Sequence, residues 1–393
     1  MKKKVFIITS EASADLLGAK LLSVFKKHKS DIKFYGIGGE HLGKCKNFKK
    51  LFDIKLFSIM GFFEVLKNIR SLIKNINNIK KTIIKIKPDM IITIDGSSLA
   101  KNIVKWIRLE KKLGFKCPIC IHYVAPQVWA WRASRAEIFS KIFDKILCFF
   151  NFETKYFLKY NNKVKCPVIG YTPIENLNGN KQKFLKNFPN SANKKIITIL
   201  PGSRKNEIYS IMETYRQVAE KIYDQNKNTI FFIPVVPFLK NYIVNIINNW
   251  NKSYRPYIIN NNEDKYNLFA STYIALSISG TVVSELSYFN VPTIVSYKFN
   301  YFTALLARIF VKIKFASLIN IINNKMIQTE LLQEKANPNN IFKKCSELLT
   351  DKKKYMLAKQ KIKNGMQKLI IKGGKKPSEL AYNEIMTSLS SLH

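Results

Sequence analysis

The chain is poor in arginine, histidine and acid. Only 8 of its 66 basic residues are Arg, set against 26 Asp plus Glu, so Lys carries the formal charge of +40. A surface of that sign attracts phosphates at long range. The Lys excess travels with an excess of Ile and Asn, as an AT-rich genome produces, and most of these lysines read as solvated faces. What survives is a preference for anionic partners; without Arg clusters or a recognisable nucleic-acid motif, a nucleic-acid-binding module is not supported. The four His residues, at 28, 41, 122 and 393, are scattered, which argues against a metal site built on His. No D-x-D occurs, so the usual carboxylate arrangement for holding a divalent cation against a diphosphate is missing. Six Cys form no disulfide framework for this length, and Cys117 and Cys120 make a single C-P-I-C that enters an apolar run, the mark of a buried reduced pair. No apolar run reaches the ~18 residues of a membrane span. Val5–Thr9 is too short for a secretory core, and Glu11 and Asp15 follow at once. The expectation is a cytoplasmic protein that touches a membrane from outside.

What the sequence does have is 393 residues with 47% hydrophobic and 12% aromatic content, enough for two cored domains of roughly 150–200 residues. Short apolar runs at 4–10, 33–38, 89–95, 118–124 and 145–150 alternate with helical patterns at 14–28, 62–78 and 98–113. The rhythm restarts with runs at 195–200, 229–236, 273–279 and 292–297. Alternation of this kind predicts an α/β protein of two Rossmann-like domains, with parallel sheets facing across a cleft. The expected boundaries are an N-terminal domain at 1–170, a polar Pro/Asn-rich linker at 171–194, a C-terminal domain at 195–350, and Lys-rich helices at 351–393 that pack back on the first domain.

Segments that escape the Lys/Ile/Asn drift mark places where chemistry has resisted it. Three of them, ASADLLGA (12–19), LPGSR (200–204) and SGTVVSEL (279–286), follow a predicted strand and open a helix, on the sheet edge where ligands bind in open α/β folds. In LPGSR, Gly202 permits a tight turn, Ser203 can cap the helix, and Arg204 adds a planar group suited to phosphate; a plain turn with a surface Arg is the competing reading. Ser279, Gly280 and Thr281 repeat that geometry, and Glu285, about one helical turn further, is placed either for a ribose diol or simply for the helix dipole. Together they suggest a nucleotide-diphosphate site. In the first half, Asp95 ends an apolar strand and is read either as a general base or as a helix N-cap. Glu11, Ser13 and Asp15 lie at the matching edge of the first strand as acceptor contacts, Ser13 doubling as a cap. His122 reads as a satisfied, partly buried side chain.

Two further stretches stand out. In 56–76 the residues Phe62, Leu66, Ile69, Ile73 and Ile76 share one helical face, with Lys67, Arg70 and Lys74 around the rest, which fits a helix on the sheet or an interfacial one. HYVAPQVWAWR (122–132) holds two of the four Trp and no Lys, Ile or Asn; Pro126 and Gln127 shape a turn, Gln127 is its candidate for direct contact, and Trp129 and Trp131 are read as fixing the loop, with substrate contact as the competing reading.

Taken in order, SEASADLLGA, SIMGFFEVL, HYVAPQVWAWR, LPGSRKNEI, SGTVVSEL and ELLQE (330–334) resemble the motifs of the lipid-A-disaccharide synthases, inverting glycosyltransferases of the GT-B fold. The resemblance extends over nearly the whole chain. It implies transfer of 2,3-diacylglucosamine from its UDP donor to 2,3-diacylglucosamine 1-phosphate, with no cofactor and no metal. It implies Asp95 as general base, Arg204 and the 279–281 turn on the diphosphate, Glu285 at the ribose, Asn320 and Gln333 near the donor, and Met60 on the acceptor side. The implied partners are the acylated donor and acceptor and the inner face of the cytoplasmic membrane, not nucleic acid; monomer and homodimer both stay open. The chain departs from the family at Ser10 and Ala14, where glycines are usual, at Tyr171, where His is usual, and at Gly96-Ser97-Ser98, where A-P-D-F-N is commoner.

Overall fold

Strands buried on both faces read as near-continuous β-branched runs, and that is how this chain builds its sheets. The computed structural model describes residues 2–57, 62–111, 117–129, 133–298, 314–371 and 374–391. The chain divides into two compact units, one of residues 1–172 and 371–393, the other of residues 173–370.

The first unit holds β1 (Lys3–Thr9), β2 (Ile32–Gly38), β3 (Phe48–Asp53), β4 (Met90–Ile94), β5 (Ile119–Tyr123) and β6 (Lys145–Leu147), in the order β3-β2-β1-β4-β5-β6. Every residue of β4 is buried. In the second unit β7 (Lys195–Leu200), β8 (Thr229–Pro234), β9 (Tyr257–Ile259), β10 (Ile274–Ser277), β11 (Thr293–Tyr297) and β12 (Thr329–Leu332) run β12-β11-β10-β7-β8-β9. All pairings are parallel. Counted from its own first strand, the second sheet has the order of the first, the doubly wound order whose direction reverses between strands one and four. The reversal points are therefore β1|β4 and β7|β10.

Helices cover both faces. On Phe62–Ile86, Ile79 and Ile83 are fully buried in the first core, Ile76 is half-buried there, and Ile73 is 53% exposed; the side chains of 62–69 and the run 58–61, Met60 included, lie outside the described residues. The C-terminal helix Pro377–Ser390 buries Ala381, Ile385 and Leu389 in the first unit. Tyr382 meets Phe25 edge-on at 4.8 Å, and Lys145 Nζ donates to Glu384 Oε2 at 2.7 Å.

Residues 171–194 are structured: a 3-10 turn at Thr172–Ile174 leads to the helix Lys181–Asn187, whose Phe184 is fully buried and packs edge-on against Phe232. One apolar anchor of this kind, worth about 1.5–3 kcal/mol, is easily lost among Asn and Lys in the sequence. Strands β3, β9 and β12 escaped the sequence reading, being short or, in β3, half-exposed and charged.

Candidate functional site

The reversal point of the first unit gathers Ser10, Glu11 and Asp95. Thr9 pairs with Ile94, so the register sets Ser10 beside Asp95. Asp95 and Gly96 both take left-handed backbone, with φ of 52° and 53°. For Asp95 that conformation is strained and is held by its surroundings: its N–H donates to Tyr123 O at 3.0 Å, and its Oδ1 accepts from Gly96 N at 2.8 Å. The next helix, Ser97–Lys111, takes its first carbonyl from Gly96, which accepts from Ala100 N, so Asp95 sits one residue ahead of the cap and the N-cap reading does not describe it. Burial pushes its carboxyl above the usual aspartate range, with the Gly96 N–H opposing. A strained, half-buried acid at this edge is suited to proton abstraction.

Its neighbours divide. Glu11 and Ser13 are exposed at the start of the helix Ala12–Lys27, whose cap position is Glu11, so Ser13 is not the cap. Asp15 is 1% exposed, and its carboxylate accepts from Gly39 N at 2.6 Å, His41 N at 2.8 Å and Leu42 N at 3.3 Å. It braces the loop after β2, and the acceptor contact read from sequence gives way to that task. Ala14, where glycine is usual in the family, is buried.

The loop after β5 begins at Val124, a β-branched residue held at φ 78°. Pro126 is buried and Gln127 exposed. Trp129 Nε1 donates to Glu153 Oε1 at 3.2 Å, which fixes the loop as its sequence suggested; Trp131 lies outside the described residues. Glu153, overlooked in the sequence, is 3% exposed, accepts from Phe149 N and Phe150 N, and is pushed up to about 7 by burial. His122 is fully buried, its Nδ1 is 2.6 Å from Thr93 Oγ1, and burial drives it down to about 3. It stays neutral and belongs to the core.

In the second unit the turn after β7 takes its shape from Gly202 at φ 114°. The amides of Ser203 and Arg204 do not stand open: both donate to Glu207 Oε2, at 3.1 and 3.2 Å, and Arg204 Nη1 donates to Glu207 Oε1 at 2.9 Å. Glu207 thus caps the start of the helix Lys205–Gln225 through the amide of its N-cap residue Arg204. Arg204 keeps 68% of its side chain exposed. A phosphate at this turn would meet the guanidinium first.

Across the reversal point, Ser279 Oγ donates to Ala316 O at 2.8 Å. Gly280 caps the helix Thr281–Tyr288 at φ 148°, and among the described residues nothing lies within 4 Å of a Cβ built there. None of the described residues thus covers the positive end of that helix. Glu285, 13% exposed, pairs with Lys265 at 2.6 Å, so any ribose contact shares the carboxylate with that ammonium.

Asn320 is fully buried. Its Nδ2 donates to Gln328 O and Glu330 Oε1, and its Oδ1 accepts from Ile327 N and Gln328 N, all at 2.7–2.9 Å. All four amide bonding positions are spent inside the protein, so the expected donor contact is replaced by a brace. Glu330 completes it, accepting from Ala316 N, Ser317 N and Ser317 Oγ. Gln333 follows β12 at φ 54°. Of the eight non-glycine residues with positive φ among the described residues, Asp95, Val124 and Gln333 sit at carboxyl ends of strands. Among the described residues, no group of three His, Cys, Asp or Glu is placed to hold a metal ion, and no helix is long and apolar enough to cross a membrane.

Solved structures share this architecture. S. aureus MnaA, solved with UDP, superposes with a TM-score of 0.63 at 16% identity, covering 99% of this chain and 97% of its own. UDP-GlcNAc 2-epimerase from Neisseria meningitidis, bound to UDP-GlcNAc, gives 0.60 at 16% identity, covering 98% and 100%. At such identity the likeness speaks for the GT-B-type fold alone. Sequence relatives go further: lipid-A-disaccharide synthase of Rickettsia bellii is 32% identical over 393 residues, covering 96% of this chain and 97% of its own, and that of Gluconobacter oxydans is 29% identical over 388 residues, covering 98% and 91%. With the family described as lipid-A-disaccharide synthetase matching residues 5–382, the chain belongs to that family, the glycosyltransferases of lipid A biosynthesis.

Proposed function

We propose that the chain transfers 2,3-diacylglucosamine from UDP-2,3-diacylglucosamine to 2,3-diacylglucosamine 1-phosphate, forming the β-1,6-linked disaccharide 1-phosphate and UDP. The first unit takes the acceptor and the second the donor. Asp95 Oδ1 is held by Gly96 N, and Oδ2 receives the proton of the acceptor 6-hydroxyl as its oxygen attacks the anomeric carbon. UDP departs from the opposite face, which inverts the configuration. Arg204 and the helix end at 279–281 balance the charge growing on the diphosphate, Glu285 holds the ribose, and Gln333 lies at the donor edge. Both substrates carry acyl chains, which favours work at the inner face of the cytoplasmic membrane; the exposed Arg70, Ile73 and Lys74 on Phe62–Ile86 support such a contact.

The observation that carries the mechanism is the strained, half-buried Asp95 at the β1|β4 reversal point. Asp95→Asn is expected to keep UDP binding and lose roughly 10²–10⁴-fold in turnover, measured as UDP release on vesicles carrying the acylated 1-phosphate; a near-wild-type rate removes the base. UDP release that requires the acylated acceptor supports the transferase, whereas activity on unacylated UDP-N-acetylglucosamine assigns the chain to an epimerase or N-acetylglucosaminyltransferase chemistry. EDTA is expected to leave turnover unchanged, and inhibition reversed by magnesium would overturn a charge balance made by Arg204 and helix amides.

A further inference from the structure

The carboxyl end of β1 bears directly on the turn that carries Asp95. A Cβ built on Gly96 would stand 2.0 Å from Ser10 Oγ and 3.1 Å from Ser10 Cβ. The hydroxyl of Ser10 therefore fills the space that any side chain at 96 needs. Gly96 also donates its N–H to Asp95 Oδ1 at 2.8 Å, and the parallel register that pairs Thr9 with Ile94 brings Ser10 alongside from the neighbouring strand. We propose that Ser10 is a positioning residue for the reaction: packed on Gly96, it fixes the peptide that holds one carboxylate oxygen of Asp95, and so aims the other at the acceptor hydroxyl.

The chain of action runs from Ser10 Oγ to Gly96, and from the Gly96 N–H to Oδ1 of Asp95. Asp-Gly is a pair that takes two left-handed residues in a row readily, so what Ser10 adds is the placement of that turn rather than its existence. Ser10 packs on it through Gly96, and removing its side chain opens space beside a carboxyl that is only half-buried. The inference rests on the reading of Asp95 as base and adds to it a residue that does not touch the reacting atoms.

The test compares Asp95→Asn, Ser10→Gly, Gly96→Ala and the double variant Ser10→Gly/Gly96→Ala in the vesicle assay, with melting temperatures for each. Gly96→Ala is expected to lose about 10²-fold in kcat, the scale of a 1 Å misplacement of a catalytic group, with UDP affinity unchanged. Removing Ser10 Oγ and Cβ in the double variant is expected to restore at least about tenfold, the remainder reflecting the left-handed backbone that Ala resists at 96. Ser10→Gly alone is expected to lower kcat and to move the acid limb of the kcat–pH profile to lower pH, because water reaching Asp95 eases its ionisation. A double variant no faster than Gly96→Ala overturns the proposal, and so does a Ser10→Gly enzyme with wild-type kcat and pH profile. If Gly96→Ala does not fold, the pH profile of Ser10→Gly decides alone. Full turnover in Asp95→Asn removes the base and this proposal together; loss in Asp95→Asn without rescue in the double variant removes the proposal alone.

Discussion

A buried amide can carry a family signature without touching a ligand. Asn320 spends both donors and both acceptor positions on its own chain, and Asp15 gives its carboxylate to three backbone amides. Asn320→Ala is expected to cost about 3 kcal/mol in urea unfolding, since it strands several buried polar groups, while donor affinity per folded molecule changes little; unchanged stability with weakened donor binding would make Asn320 a ligand contact. Asp95 was legible as a candidate because its place, an acid ending an apolar strand, is a local feature. The cap reading fails at the backbone of Gly96, whose carbonyl accepts the first helical bond. The contact between Ser10 and Gly96 was not legible, because it joins residues from different strands and depends on register. Glu153 was missed for a similar reason: an acid beside three Phe in FFNFE reads as an ordinary helix start until burial is known.

At the scale of elements, the long central strands were legible because burial on both faces writes itself as Val and Ile. Strands β9 and β12 were not, since three or four residues carry no period, and neither was β3, whose residues are charged and half-exposed. The turn after β7 shows a second limit: its glycine and arginine pointed to an anion, yet the carboxylate of Glu207 already holds its two amides. Glu153 links two elements, the loop 124–129 through Trp129 and the helix Asn151–Leu158 that it caps. Its folded value of about 7 stands above 4.5, the ordinary value for Glu. Between those pH values the folded state binds more protons than the unfolded one, so this carboxyl's contribution to stability falls as pH rises from about 4.5 to 7 and levels off above it. Glu153→Gln is expected to flatten that part of the urea-midpoint profile; an unchanged slope would place the pH dependence elsewhere.

For the molecule as a whole, the +40 charge speaks about partners and is silent about fold. Lysines near an anionic bilayer contribute about 1 kcal/mol each at low salt, and screening shortens their reach to roughly 8 Å at physiological ionic strength. Co-sedimentation with vesicles rich in anionic phospholipid is therefore expected to fall severalfold as salt rises, and to be weak on phosphatidylcholine alone. Binding indifferent to both would mean that apolar insertion dominates. The restart of the strand rhythm marked two units, but the sequence sent all of 351–393 back to the first domain, whereas residues 351–370 stay with the second unit and the return of 371–393 rests on particular contacts such as Lys145 with Glu384. Those contacts set an order of events during synthesis. Residues 173–370 are complete as a unit once position 370 has left the ribosome, whereas the first unit, begun earlier, lacks its closing helix until the end. The half of the protein whose translation begins first is the half whose packing residues Tyr382, Ile385 and Leu389 are translated after the other unit's last residue.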